Sequence, residues 1–149
     1  MDVENQSVKE NALSGFIRAS GVILAISYPV LALSTGVRSG YQLFLKPDVA
    51  TNVPAILSGV AAVCYLLAAI GFIVRRRWAW WLSVCMLIFE LSMVLVIGSL
   101  SVLNPEVIGG RTVWGNFGAD YGYFPLIQPV LGLLWLFHSE TRRVYGIAR

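Results

Sequence analysis

Three consecutive arginines, Arg75, Arg76 and Arg77, stand between two long apolar runs. The run before them, Pro54 to Val74, holds no charged residue, and the run after them, Trp78 to Leu100, holds one, Glu90. A bilayer hydrocarbon core about 30 Å thick takes about 20 helical residues to cross. The pattern therefore predicts a transmembrane hairpin closed by an arginine turn. Arginines in short loops stay on the cytoplasmic side, so the turn also sets an orientation.

The rest of the 149 residues agrees with a membrane class. Hydrophobic residues make up 57% and charged residues 13%, where a soluble domain carries about 25% charged residues. The expectation is an all-α polytopic membrane protein: a single transmembrane domain over 1–149, with four spans at about 16–35, 54–74, 78–100 and 123–137. The fourth span is short for a bilayer, so it is expected to start inside the preceding loop or to sit where the bilayer thins. With both ends inside, Lys9, Arg18, Arg75, Arg76, Arg77, Arg142, Arg143 and Arg149 are cytoplasmic, against Arg38, Lys46 and Arg111 outside. That bias predicts an N-in/C-in bundle. It also argues against nucleic acid as partner, because the charges behind the net +3 lie at membrane edges rather than on one soluble face. Asp2, Glu4 and Glu10 near the start, and an apolar run longer than a signal h-region, argue against a cleaved leader.

Two segments between spans stand out. Residues 37–53 read as an outer loop. Residues 101–122 contain five glycines together with Trp114, Phe117 and Tyr121, and Tyr123 and Phe124 follow. Such rings predict an interfacial belt that anchors the loop at headgroup depth. The functional alternative is an outer-loop binding surface built from Trp114, Phe117, Asp120 and Tyr121. On the inner side, Trp78, Trp80, Trp81, Trp135 and Phe137 form the matching belt, and Arg75, Arg76, Arg77, Arg142 and Arg143 face lipid headgroups.

The second span carries small residues at Ala61, Cys64, Ala68 and Gly71, one side of a helix, and a neighbouring Ala55/Gly59 pair. Small residues let membrane helices approach closely. The partner of this face is another span or a second protein. Cys64 and Cys85 read as small core residues rather than a disulfide or metal pair, and Met86 and Met93 as core filler.

Glu90 is the one charged residue inside a span other than Arg18 at its edge. An acidic side chain near the bilayer centre costs about 2.5–3.5 kcal/mol on insertion scales and is a functional-site hypothesis by default. Span-depth matching places Ser27, Tyr28, Cys64, Tyr65 and Gln128 near it, beside prolines that free backbone carbonyls. Glu90 then serves as polar glue between helices, as a proton or cation group, or as a contact to a partner. Enzyme chemistry has little support. The single histidine, His138, lies at the inner edge, and no nucleophile has a visible orienting base. No cofactor or metal is expected.

The stretch from Gly71 through Arg75-Arg76-Arg77 to Trp81, with Thr112–Gly118 and Pro129–Leu136, resembles small four-span integral membrane proteins of actinobacteria. The likeness covers residues 54–143. It implies a bacterial plasma membrane and no assigned activity. The sequence-level expectation is a non-catalytic accessory or assembly subunit of a membrane or cell-envelope complex, partnered by lipid and by another membrane protein or itself. The alternative is a small oligomeric proton- or cation-coupled transporter or channel using Glu90.

Overall fold

The computed structural model describes residues 2–46 and 51–148. The elements run α1 (Asp2–Phe44), α2 (Val53–Ile73), α3 (Arg77–Leu103), α4 (Pro105–Ile108), a 3-10 segment (Gly115–Tyr121), α5 (Phe124–Phe137) and α6 (Ser139–Val144). All described regular structure is helical. Three helices, α1, α2 and α3, are long and apolar enough to cross a membrane, whereas α5 is apolar but has only 14 residues.

The hairpin lies where the arginines put it. Helix α2 ends at Ile73 and α3 begins at Arg77. Helix α1 departs from expectation. It absorbs the polar start of the chain, the expected span 16–35 and the first part of the expected loop 37–53 into one 43-residue helix. The cause is local. Gly36 and Gly40 each cost a helix only about 1 kcal/mol relative to alanine. The strong breaker, Pro47, stands three residues past the helix end, where proline commonly follows. Residues 47–50 of that expected loop lie outside the described residues.

Helices α1, α2, α3 and α5 pack in that cyclic order. The contacts are close because the touching residues are small. Ala61, Cys64, Ala68 and Gly71 are all buried, and this face meets α3: Ser83 Oγ donates to the Ala68 carbonyl at 3.4 Å. A Cβ on Gly71 would collide with Ser83 Oγ and stand 2.8 Å from the Ala79 carbonyl. The Ala55/Gly59 side meets α1 instead, with Ser39 Oγ donating to the Ala55 carbonyl at 2.7 Å. Helix α5 closes the ring through Gly132 against Leu87 and Phe72, and through Trp135, whose indole fills the space left by Gly21. Of the two cysteines, Cys64 is buried and Cys85 is exposed. Cys85 is therefore not a core residue, because it sits on the side of α3 turned away from the ring.

The chain's inner end is tied to the arginine turn. Tyr145 Oη donates to the Gly71 carbonyl at 2.9 Å, and Arg77 Nε to the Gly146 carbonyl at 2.6 Å. Burial pushes the Tyr145 phenol up to about 12, against an opposing pull from nearby Arg75. Trp80 is buried and donates to the Leu136 carbonyl at 2.9 Å, and Trp135 is half-buried and donates to the Ile17 carbonyl at 2.8 Å. Of the expected inner belt, Trp78, Trp81 and Phe137 face outward. The other two indoles turn in to carbonyls: that of Leu136 lies in the last turn of α5, where it has no intrahelical partner, and that of Ile17, inside α1, accepts the indole N–H on its second lone pair.

Gly71→Ala should destabilise the fold by about 1–3 kcal/mol, the usual cost of overpacking a tight contact. Gly15→Ala, with open space around it, should be neutral or stabilising by up to about 1 kcal/mol through helix propensity. Denaturant unfolding in bicelles reads both; equal effects would mean that the α2–α3 approach is looser than described.

Candidate functional site

Glu90 is the fourteenth of the 27 residues of α3 and is fully buried. Tyr28 on α1 and Tyr65 on α2, two of the partners expected from depth, are also buried, and their rings meet edge to face at 5.8 Å. The Tyr28 hydroxyl faces the Glu90 carboxyl. Another expected member, Gln128 on α5, is buried but turns elsewhere. Its Nε2 donates to Ser27 Oγ at 2.6 Å, so Glu90 has no hydrogen bond to Gln128. The competing hydroxyl wins because Ser27, one position before Tyr28, points its side chain toward α5.

What distinguishes this region is its unpaired polarity. Both Glu90 oxygens, the hydroxyls of Tyr28, Tyr65 and Thr35, Trp114 Nε1 and Gln128 Oε1 are buried and close no hydrogen bond. Buried polar groups are nearly always paired, because leaving one unpaired costs about 1–3 kcal/mol. Acceptors on Glu90 and Gln128 thus share the interior with donors on Tyr28, Tyr65 and Trp114. The side chains can carry a proton or accept a small polar or cationic guest. Among the described residues no group of three or more His, Cys, Asp or Glu is placed to hold a metal. His138 is half-buried at the inner end, where its Nδ1 accepts from the Glu140 N–H at 3.3 Å as the N-cap of α6.

Trp114 is the residue that sequence reasoning misplaced. It was expected on an outer-loop surface and is instead fully buried, its ring edge to face with Phe89 at 6.2 Å, next to Glu90. The loop between α4 and α5 folds back into the bundle. Thr112, Val113 and Trp114 all lie at 0% exposure. Backbone bonds make this possible. The Val113 N–H donates to Ser58 Oγ at 3.3 Å, and the Gly115 N–H to the Thr112 carbonyl at 3.1 Å. Asn116, Phe117 and Gly118 then take three consecutive left-handed conformations, with φ of 47°, 59° and 81°. Such a backbone costs a non-glycine residue about 1–2 kcal/mol. Phe117 is held there because its ring lies on Gly98 of α3, which leaves no room for a Cβ. Phe117 is half-buried by this packing and is likewise withdrawn from the expected surface. Asp120 stays exposed, 3.8 Å from Arg111, and Tyr121 is half-buried, accepting from Arg38 Nη1 at 3.4 Å beneath the guanidinium.

Of the cations expected at the headgroups, Arg75, Arg76, Arg77 and Arg143 are exposed, and Arg142 is half-buried. Residues that sequence reasoning passed over are Thr35, which lies seven positions after Tyr28 on the same helix face, and Ser58, which bonds the re-entrant loop. Only the heptad spacing of Thr35 was visible in advance.

Trp114→Ala should cost about 3–5 kcal/mol, as for a large aromatic removed from a core. A headgroup anchor would lose far less. Reversible unfolding in mild detergent distinguishes the two, and a cost below about 1 kcal/mol would return Trp114 to the surface. No family model matches this chain, and neither the curated proteins nor the solved structures contain a match to it.

Proposed function

We propose that this chain is a non-catalytic accessory or assembly subunit of a membrane or cell-envelope complex, held in the plasma membrane by four spans with both ends cytoplasmic. The observation that carries the reading is the length and dress of α1. Its 43 residues extend about 65 Å at 1.5 Å per residue, twice the hydrocarbon core of about 30 Å. Phe16, Ile23, Val30, Val37 and Phe44 recur every seven residues along it, each more than 60% exposed. Lipid covers such residues only within the bilayer. Val8 and Leu13 before the expected span, and Val37, Tyr41 and Phe44 after it, are also exposed. Apolar faces that continue into water mark interaction surfaces, and a seven-residue repeat suits a second helix lying alongside. The partner is another membrane protein or a second copy. A bacterial membrane is the setting implied by the resemblance to actinobacterial four-span proteins.

The orientation has its own support. Arg18, Arg75 and Arg143 line one cavity, and Arg38, Lys46 and Arg111 line another. These cations separate into the same two sets as the inner and outer counts. The fourth pass is short, and the re-entrant loop that packs on it makes up the difference.

A second reading rests on the unpaired polar groups around Glu90: a small oligomeric transporter or channel that moves protons or cations through that carboxyl. An intramembrane acid with hydroxyl neighbours is the kind of group that proton relays use.

Single cysteines in a Cys64→Ala/Cys85→Ser background test the first reading. A cysteine at Asn116 should react from outside, and one at Arg143 only after permeabilisation; the reverse sinks the orientation. Cysteines at Ile23, Val30 or Val37 should cross-link to a second copy or to one partner, whereas Val63 on α2 should not. Absence of any cross-link in native membranes removes the α1 interface. For the second reading, vesicles carrying a pH-sensitive dye should show flux that Glu90→Gln abolishes without unfolding the protein. A parent protein without flux eliminates it.

A further inference from the structure

The inner end of the bundle holds a cavity of about 310 Å³ whose walls come from three separated parts of the chain. Arg18 enters from α1, Arg75 from the turn between α2 and α3, and Arg143 from α6. One acid, Glu140, also lines it. Among the described residues none of the three arginines closes an ion pair, the ion pair that does form being Arg111 with Asp120 at the other end. Three guanidinium groups held in one concavity repel one another, and a single carboxylate compensates one of them. The arrangement calls for an anion with at least one more negative charge.

Beside this cavity runs an apolar groove of about 450 Å³ between α1 and α5. The two concavities share Ile17 and Trp135 as walls. The groove is lined on one side by Phe16, Ile23 and Leu24 and on the other by Leu131 and Leu134. These two helices meet where the Trp135 indole sits over Gly21 and donates to the Ile17 carbonyl, and again where Gln128 donates to Ser27. The groove runs beside these contacts. A charged pocket at a helix end, continuous with an apolar trough along the helices, has the polarity of a phospholipid: phosphate at one end and acyl chain at the other.

We infer that this is a binding site for an anionic phospholipid, its phosphate between Arg18, Arg75 and Arg143 and one acyl chain along the α1–α5 groove. Arginine suits the role because its planar fork meets phosphate oxygens two at a time, and basic pockets between helices at the inner face bind anionic headgroups. The inference rests on the reading that α1 and α5 lie in a membrane. It is independent of which partner α1 meets.

The test is native mass spectrometry of the full chain in neutral detergent with equal amounts of phosphatidylglycerol and phosphatidylcholine of the same chain length. Phosphatidylglycerol adducts should exceed phosphatidylcholine adducts by about tenfold or more, given the attraction of each basic residue for anionic lipid. Arg18→Gln/Arg75→Gln/Arg143→Gln should bring the ratio near one. Should that variant lose its near-ultraviolet aromatic signal, Arg18→Gln alone, an exposed position, should still reduce the ratio several-fold. Leu131→Trp, which fills the groove, should weaken the long-chain lipid and spare dihexanoyl phosphatidylglycerol. Equal adducts of the two lipids, or an unchanged ratio in the arginine variants, overturn the site. Displacement of phosphatidylglycerol by millimolar inorganic phosphate, or indifference to Leu131→Trp, overturns the lipid and leaves a free-anion pocket. Only the protein and lipid are present, so a negative result removes this site without touching the accessory-subunit reading.

Discussion

Away from water a backbone N–H or C=O without a partner costs several kcal/mol, so non-helical chain survives at membrane depth only where protein surrounds it. The segment between α4 and α5 meets that demand and shapes everything near it. Helix α5 has 14 residues, about 21 Å at 1.5 Å per residue. The loop before it folds inward until Trp114 reaches Phe89 beside the middle of α3. Ser58, Thr112 and the left-handed turn at Asn116–Gly118 carry the hydrogen bonds and the reversal of direction. Gly98 supplies the recess for Phe117, so the glycine in α3 is there for the loop rather than for another helix.

The backbone is thus well paired where the side chains are not. Glu90, Tyr28, Tyr65 and Trp114 meet from three helices and the loop, and with Thr35 and Gln128 they leave seven buried polar atoms without hydrogen bonds. A chain under selection for stability alone would place leucine at position 90, since replacing buried polar groups by apolar ones of similar shape is often neutral or stabilising. Aromatic contacts surround the polar centre: Tyr28 meets Phe72 at 5.1 Å, Phe72 meets Trp135 at 5.8 Å, and Trp135 meets Tyr145 at 6.2 Å. This column links the centre to the inner arginines, so a change of charge at Glu90 and occupancy of the inner cavity bear on the same packed rings.

The two ends of the bundle differ in how they hold charge. At the inner end Arg77 is tied to the Gly146 carbonyl, while Arg18, Arg75 and Arg143 surround a concavity. At the outer end Arg38 is tied to Tyr121, and Arg111 to Asp120. Among the described residues Arg38, Arg77 and Arg111 are thus engaged, while Arg18, Arg75 and Arg143 close no ion pair.

Much of the architecture was legible in residues. The uncharged run 54–74 and the arginines after it determined α2, the turn and α3 to within a few residues, because apolar length and charge act locally. The end of α1 at Phe44 and the short helix Pro105–Ile108 differ from the expected span end at 35 and the expected loop 101–122. Glu90 was identifiable as a buried site, and Tyr28 and Tyr65 as its neighbours, since depth follows from counting along each span. Other features depended on what lies across the interface. Whether Trp114 faces lipid or protein depends on a recess made by α2 and α3, and Gln128 chose Ser27 over Glu90 by side-chain direction between helices. That Arg18, Arg75 and Arg143 share one cavity follows from the crossing of α1 and α5 at Gly21. The sequence by itself determined the apolar helices on either side of the arginines and where along α3 its central acid lies. Only the tertiary structure decided which small residues touch, which rings turn inward and which charges meet, because those outcomes depend on helix separations that glycine contacts set across the bundle.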